Sequence, residues 1–274
     1  MTTILTRQPL ASLSFAKTHF QRGTDCLGPD EVEQVFGIKL ADVPPIPFTE
    51  EELTRARELG QILLLFVPND ADGNLLTMKR LRDILCNKLG AGKLLYEESW
   101  YAKEPFYTTT PIVPAPIWKL VSHDVIPGST NVNYLDQTVA LVRYLTEEVY
   151  QDEGLPMAYD VAASEFDSSK DRLTKLMRSD WKKAAEELTA LKVNQLFRLS
   201  PGELLYLIAF YRAANKEYLL EDMYSWTASR SNAFGGLVYA GGADSDGAGV
   251  DIYSPRDPND DLGVLFSRSG LAES

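Results

Sequence analysis

The stretch 231-SNAFGGLVYAGGADSDGAGVDIYSPRDPNDDLGVLFSRS-269 is dense in Gly, Ala, Asp and Asn. Leu237, Val238, Val250, Leu262, Val264 and Phe266 interrupt it on the beat expected of buried strand positions. Between them stand residues that favour turns and bulges, and no 3.6-residue periodicity runs through the segment. Everything before Met223 reads differently, as helices with a few isolated strands. Helices and strands first and strands last predict an α+β domain with a mixed or antiparallel sheet rather than a doubly wound one.

Working back from that tail, Ser200, Pro201 and Glu203 combine a capping box with proline at a first helical position, ahead of the apolar run LLYLIAFY. Asn133 is placed to cap a helix in which Leu135, Val139, Val142, Leu145 and Val149 form one apolar stripe. Two more helical segments fill Pro156 to Leu191, so residues 133–216 form a helical middle. Upstream of it, IWKLVS at 117–122 alternates as a strand, and ILLLFV at 62–67 reads as a buried one. Thr49 and Glu52 form a second capping box before a helix that closes at Gly60. Leu75, Met78, Leu81 and Leu85 predict another helix, ending on Gly90. Residues 1–59, broken by Pro44, Pro45 and Pro47, read as an arm or connector, and residues 60–274 as the domain.

The chain has 274 residues, 45% hydrophobic and 24% charged, enough to build a core without a metal or disulfide. A formal charge of −12 and the lack of any Lys/Arg run argue against nucleic acid as a partner. The longest apolar run is far short of the ~20 residues that a membrane-spanning helix needs. The N-terminus lacks the basic start, long apolar centre and cleavage site of a secretion signal, so export by the general secretory route is not expected. Cys26 and Cys86 show no C-x-x-C spacing and are expected as two separate buried thiols.

No grouping commits the chain to catalysis. His19 and His123 each lack a nearby Cys or second His, which favours ordinary hydrogen bonding over a nucleophilic triad. The loops NDADGN and GADSDGAGVD resemble calcium loops, but the twelfth position, where an EF-hand needs a bidentate Glu, is Leu81 in one and Pro255 in the other. The glycines form neither phosphate-binding motif. Neither a metal nor any other cofactor is expected.

The C-terminal pattern is a Trp at Trp226, then SR, LVYAGG, DSDGAGV, SP and LGVLFSRS. Together with WKLVSHDVIPGSTNVNYLDQT it resembles the variable proteins of diversity-generating retroelements, from about Gly60 to Ser269. The resemblance implies a C-type-lectin-like fold in which a first strand pairs with the last, here IWKLVS with LGVLFSRS. Helices flank the sheet, and an irregular strand-and-loop region binds a ligand. It also implies template-directed mutagenesis at adenines, which diversifies asparagine-type codons without creating stops.

On that reading the residues divide into two sets. Leu237, Val238, Gly241, Ser245, Gly247, Val250, Pro255, Leu262, Gly263, Val264, Phe266 and Arg268 form the scaffold. The diversified face, within 231–261, comprises Asn232, Ala233, Phe234, Ala240, Gly242, Ala243, Asp244, Asp246, Gly249, Asp251, Ile252, Tyr253, Arg256, Asp257, Asn259, Asp260 and Asp261. These point to solvent, and Phe234, Ile252 and Tyr253 serve as aromatic and aliphatic anchors. Ordinary core is the alternative for those three. The implied partner is a macromolecule, in the first instance a protein, bound without catalysis. A calcium-dependent carbohydrate-binding lectin module using Asp257, Asp260 and Asp261 is the alternative, although the Glu-Pro-Asn and Trp-Asn-Asp motifs of such lectins are missing. An enzyme of the formylglycine-generating type would need a cysteine pair that the tail does not contain.

Overall fold

A computed structural model describes residues 10–21, 24–86, 93–151 and 154–270. Its first part carries helices α1 (Leu13–His19), α2 (Pro29–Phe36), α3 (Glu50–Glu58), α4 (Met78–Leu85) and α5 (Pro105–Thr108), with strands β1 (Cys26–Leu27), β2 (Gln61–Phe66) and β3 (Ile117–Ser122). The helical middle follows: α6 (Tyr134–Arg143), which runs into a π-helical turn at Tyr144–Val149, then α7 (Met157–Ser179), α8 (Trp181–Ala190), α9 (Lys192–Phe197) and α10 (Pro201–Asn215). Strands β4 (Tyr224–Arg230), β5 (Leu237–Asp244), β6 (Gly247–Tyr253), β7 (Leu262–Gly263) and β8 (Ser267–Ser269) close the chain. The caps expected at Thr49, Asn133 and Ser200 form, and each side chain accepts the backbone N–H three residues on.

The strands make two four-stranded sheets, with orders β1-β2-β3-β8 and β6-β5-β4-β7. In the first, β2 runs antiparallel to β3 from Gln61 opposite Ser122 to Phe66 opposite Ile117. Strand β2 is buried along its whole length, which is why its sequence is a continuous apolar run. The expected pairing of IWKLVS with the tail occurs, but only the last three residues, Ser267–Ser269, take part. Leu262 and Gly263 instead lie parallel to β4 in the second sheet. Mixed sheets with flanking helices make this an α+β fold.

Helix α10 is apolar on every side and buried from Pro201 to Tyr211, as befits a central element. Its Tyr206 hydroxyl donates to the Leu65 carbonyl of β2 at 3.0 Å. Two cores result. One gathers α10, β2, β3 and the N-terminal helices, and receives Val238, Ala240, Ala243, Ala248 and Val250 from the second sheet. The other gathers α6 to α9 and receives Trp226, Leu237, Leu262, Val264 and Phe266. The second sheet therefore has a packed layer on each face.

Several expectations are corrected. Described residues from 10 to 59 are no separate arm: Ala16, Phe20, Val32, Phe36 and Phe48 are buried in the first core, and β1 extends the first sheet parallel to β2. Helix propensity and turn prolines concealed this, because core membership depends on contacts far along the chain. Residues 1–9 and 271–274, and Gly90 as a helix end, lie outside the described residues. Leu75 precedes α4 and is exposed, since the Thr77 cap starts the helix after it. Cys26 is buried but Cys86, at the end of α4, is exposed; the two are not joined. In NDADGN the Asp70 carboxylate is consumed internally, accepting from Asp72 N, Asn74 N and Arg80 Nε, the last at 2.6 Å. Burial raises its pKa, but the Arg80 and Asn74 hydrogen bonds outweigh this and hold it below the ordinary carboxylate range. No helix among the described residues is long and apolar enough to cross a membrane.

Candidate functional site

Strands β5 and β6 pair antiparallel from Leu237 opposite Tyr253 to Gly241 opposite Gly249. Because successive side chains alternate across a sheet, Ala248, Val250 and Ile252 face the first core, whereas Gly249, Asp251 and Tyr253 share the other face. On β5, Val238 and Ala240 go to the first core while Leu237 and Tyr239 go to the second. A register shift between Gly241 and Asp244 then returns Ala243 to the first core.

The second face carries a row of half-buried tyrosines. Tyr224 and Tyr239 meet edge to face with centroids 5.4 Å apart, and Tyr253 lies against the buried Trp226 at 6.5 Å. Trp226 in turn packs edge-on against Tyr134 of α6 at 5.3 Å, which fixes the depth of the row. Asp251 is exposed and sits opposite Tyr239 in register. Burial first, and the neighbouring Asp251 charge second, push the Tyr239 hydroxyl up to about 12. At neutral pH Tyr239 is therefore a neutral donor beside the Asp251 carboxylate.

Residues 254–261 connect one edge strand of the second sheet, β6, to the other, β7, and are anchored along the way. The Pro255 carbonyl accepts from Tyr134 N at 3.0 Å, the Asn259 carbonyl from Asn131 N at 3.0 Å, and the Asp261 carbonyl from Tyr224 N at 2.8 Å. This holds the backbone while Arg256, Asn259, Asp260 and Asp261 stay exposed and Asp257 half-exposed.

The turn before β5 is held from a distance. Glu104, at the start of α5, is buried, and its carboxylate accepts from Ser231 Oγ at 2.6 Å, Asn232 N at 3.1 Å and Ala233 N at 3.1 Å. That presents Asn232, Ala233 and Phe234 outward, with Phe234 49% exposed. They border an open groove of about 760 Å³ whose far wall is α8, with Lys182, Lys183 and Glu186. Removing this carboxylate orphans a hydroxyl and two backbone N–H groups. Glu104→Ala is expected to cost about 2–3 kcal/mol and to speed amide exchange at residues 232–234, read by denaturant titration and hydrogen exchange. Unchanged exchange there would show that the turn holds itself.

At the opposite end of β5, Asp244 and Asp246 lie exposed on the hairpin tip, where Asp246 N donates to Asp244 Oδ1 at 2.7 Å. The 93–96 segment clasps this tip through Lys93 N to the Ser245 carbonyl and Tyr96 N to the Ala248 carbonyl.

No family model, curated protein or solved structure matches this chain.

The expected contact residues thus fall into three exposed groups: the sheet face with its 256–261 loop, the 232–234 turn, and the 244–246 tip. Five residues depart from the expectation of a solvent-facing, freely variable position, among them Tyr253, which is half-buried against the second core and Trp226. Ala240 and Ala243 are buried, because their place in the alternation turns them into the first core. Ile252 packs partly against that same core and points away from Tyr253. Gly242 adopts φ 54°, and an added Cβ would lie 2.3 Å from the Tyr224 hydroxyl, so a side chain there displaces a tyrosine of the row. Among the expected scaffold residues Ser245 alone is exposed; the others are buried. Asp257, Asp260 and Asp261 form no three-residue metal-ligating group among the described residues.

Sequence reasoning missed Tyr224, Tyr239 and Glu104. Tyr239 was legible in principle, since it alternates with the buried Val238 and Ala240 on β5, whereas nothing local marked Tyr224 on β4. Glu104 had no local signal, because its partners are more than 120 residues away.

Proposed function

We propose that the protein is a non-enzymatic recognition module that presents a variable surface on a rigid scaffold, of the kind made by retroelement-directed diversification on a C-type-lectin-like fold. The supporting observation is a set of exposed residues held on anchored backbone. Asp251 is exposed beside the half-buried Tyr239 and Tyr253, whose rings rest on the second core with Leu237 beneath them, and the 256–261 loop and the 232–234 turn present exposed residues from tied-down backbone. Tyrosines supply large, low-entropy contact area with a hydrogen-bonding tip, the property exploited in antibody-type binding surfaces. Asp251, Asp257, Asp260 and Asp261 outnumber Arg256, which favours a protein partner whose contact surface is neutral or basic.

The decisive experiment is to read the DNA around the gene. A reverse-transcriptase gene and a near-copy of the 231–269 coding sequence, differing at adenines, are expected within the neighbourhood; their absence overturns the retroelement origin. A protein-level check follows from the geometry. Phe234→Ala with Tyr253→Ala should change stability by no more than about 1–1.5 kcal/mol, as expected for half-exposed side chains. Ile252→Ala, which opens space against the first core, should cost more. A stability loss from the first pair that equals a core truncation would show that those residues are structural and remove them from the contact surface.

A further inference from the structure

The groove between α8 and the 232–234 turn differs in charge from the rest of the chain. The protein has a formal charge of −12, yet between Lys170 and Lys192, from late α7 through α8, stand seven Lys or Arg against four Asp or Glu. The carboxylates on the groove are already engaged. Asp180 Oδ1 accepts from Lys183 N at 3.1 Å as the cap of α8, Glu186 pairs with Arg230 at 3.7 Å, and Glu187 pairs with Arg172. Lys182 and Lys183 line the same groove, are exposed, and make no ion pair among the described residues.

Their position is unfavourable to the helix itself. They are the second and third residues of α8, at the positive end of its dipole, where acidic side chains stabilise and cations do not. Lys182 Nζ has the Trp181 ring beside it, 5.5 Å from the centroid. On the other wall Phe234 is 49% exposed and meets the Trp100 ring edge to face at 6.2 Å. Two unpaired ammonium groups and an exposed aromatic ring across an open groove select a carboxylate-bearing chain with an apolar side chain. A long polyanion such as nucleic acid is disfavoured by the negative charge of the rest of the protein.

We propose that this groove binds an acidic peptide segment of the protein partner, with carboxylates at Lys182 and Lys183 and an apolar side chain against Phe234. The proposal rests on the reading of residues 232–234 as contact residues and names the chemistry they meet. It also gives the surface a direction. The turn adjoins the end of β6, since a Cβ on Gly236 would lie 3.2 Å from the Tyr253 carbonyl oxygen, and the acidic 254–261 loop starts there. A partner therefore meets a basic groove beside an acidic loop, and the opposite charges fix its orientation.

Titration of the full chain with acetyl-Glu-Glu-Phe-Glu-Glu-amide, followed by the backbone amide NMR shifts of residues 181–190 and 232–235, tests it. Saturable shifts are expected, with affinity falling as salt is added. Acetyl-Lys-Lys-Phe-Lys-Lys-amide should leave these amides unshifted. Lys182→Glu with Lys183→Glu should weaken binding of the acidic peptide about tenfold or more and let the lysine peptide shift these amides instead. Glutamates suit the first turn of a helix, so the melting temperature of the double variant should not fall. Phe234→Ala should weaken binding about fivefold. The proposal fails if the shifts do not saturate up to about 10 mM peptide or if the double variant binds it unchanged. It also fails if a thymidine oligonucleotide binds as tightly, which would mark a polyanion site. Should the double variant not fold, Lys182→Gln with Lys183→Gln decides by the same loss of affinity. Failure here leaves the gene-neighbourhood test of retroelement origin standing, and failure of that test leaves the peptide titration to be read on its own.

Discussion

Arg198→Ala is expected to lower the stability of the protein by at least about 3 kcal/mol, a fall in melting temperature on the order of 10 °C for a chain of this size. Arg198 follows α9 and is 1% exposed, a buried cation with no carboxylate paired to it among the described residues. Burial pushes its pKa down to about 10. It is held instead by neutral acceptors: Nε donates to Asn194 Oδ1 at 2.8 Å, Nη1 to Gln137 Oε1 at 3.1 Å, and Nη2 to the Tyr134 carbonyl and Thr138 Oγ1, each at 3.3 Å. Its guanidinium carbon also lies 3.8 Å from the centroid of the Tyr134 ring. Truncation would leave Gln137 Oε1 buried without a donor, leave Asn194 Oδ1 with only the Thr138 hydroxyl at 3.2 Å, and open a cavity beside them.

The consequence reaches the candidate contact surface. Gln137 Nε2 donates to the Leu262 carbonyl at 2.9 Å, Tyr134 N to the Pro255 carbonyl, and Tyr134 Oη to the Thr227 carbonyl of β4 at 3.0 Å. Both ends of the 255–262 loop are therefore tied to the residues that Arg198 organises. Denaturant unfolding should show the stability loss, and hydrogen exchange should show loosening of that loop. Arg198→Lys should recover only part of the loss, because a single ammonium cannot match the planar fork. A loss below about 1 kcal/mol for Arg198→Ala would mean that water replaces the guanidinium without cost.

Gly241→Ala is the second large effect. Gly241 has φ 151°, and a Cβ there would lie 2.1 Å from the Met223 carbonyl oxygen and 2.6 Å from Tyr224 Cα. Both atoms are backbone, so no side-chain rotation relieves the clash; β4 has to move away from β5. We expect a destabilisation of about 3 kcal/mol or more, together with displacement of Tyr224 from the tyrosine row. Near-ultraviolet circular dichroism of the tyrosines and denaturant unfolding provide the readouts. By contrast Gly235, although at φ 79°, has only the flexible Lys182 stem nearby, so the effect of Gly235→Ala should be smaller. Equal effects at the two positions would show that the strain lies in φ alone rather than in the approach of β4.

Much of this architecture was legible in the chain itself. Capping boxes at Thr49 and Ser200, the Asn133 cap and the apolar stripe of α6 are local signals, and local signals survive folding because the groups that satisfy them lie three or four residues apart. The alternation of Leu237, Val238 and Val250 with small and acidic residues likewise announced strands with a buried side. Parity was the limit of that reading. Alternation separates two faces without saying that both are covered, so Ala240, Ala243 and Ile252 were placed outside when the first core lies beneath them.

What composition and spacing determined by themselves was the succession of a helical middle and a strand tail, with the caps at Thr49, Asn133 and Ser200, because each depends on backbone geometry repeated over a few residues. Tertiary structure alone decided that residues 10–59 enter the core, that Glu104 holds a turn more than 120 residues away, and that Arg198 and Gln61 lie buried. Those outcomes depend on which distant groups exclude water from one another, and no spacing along the chain encodes that exclusion.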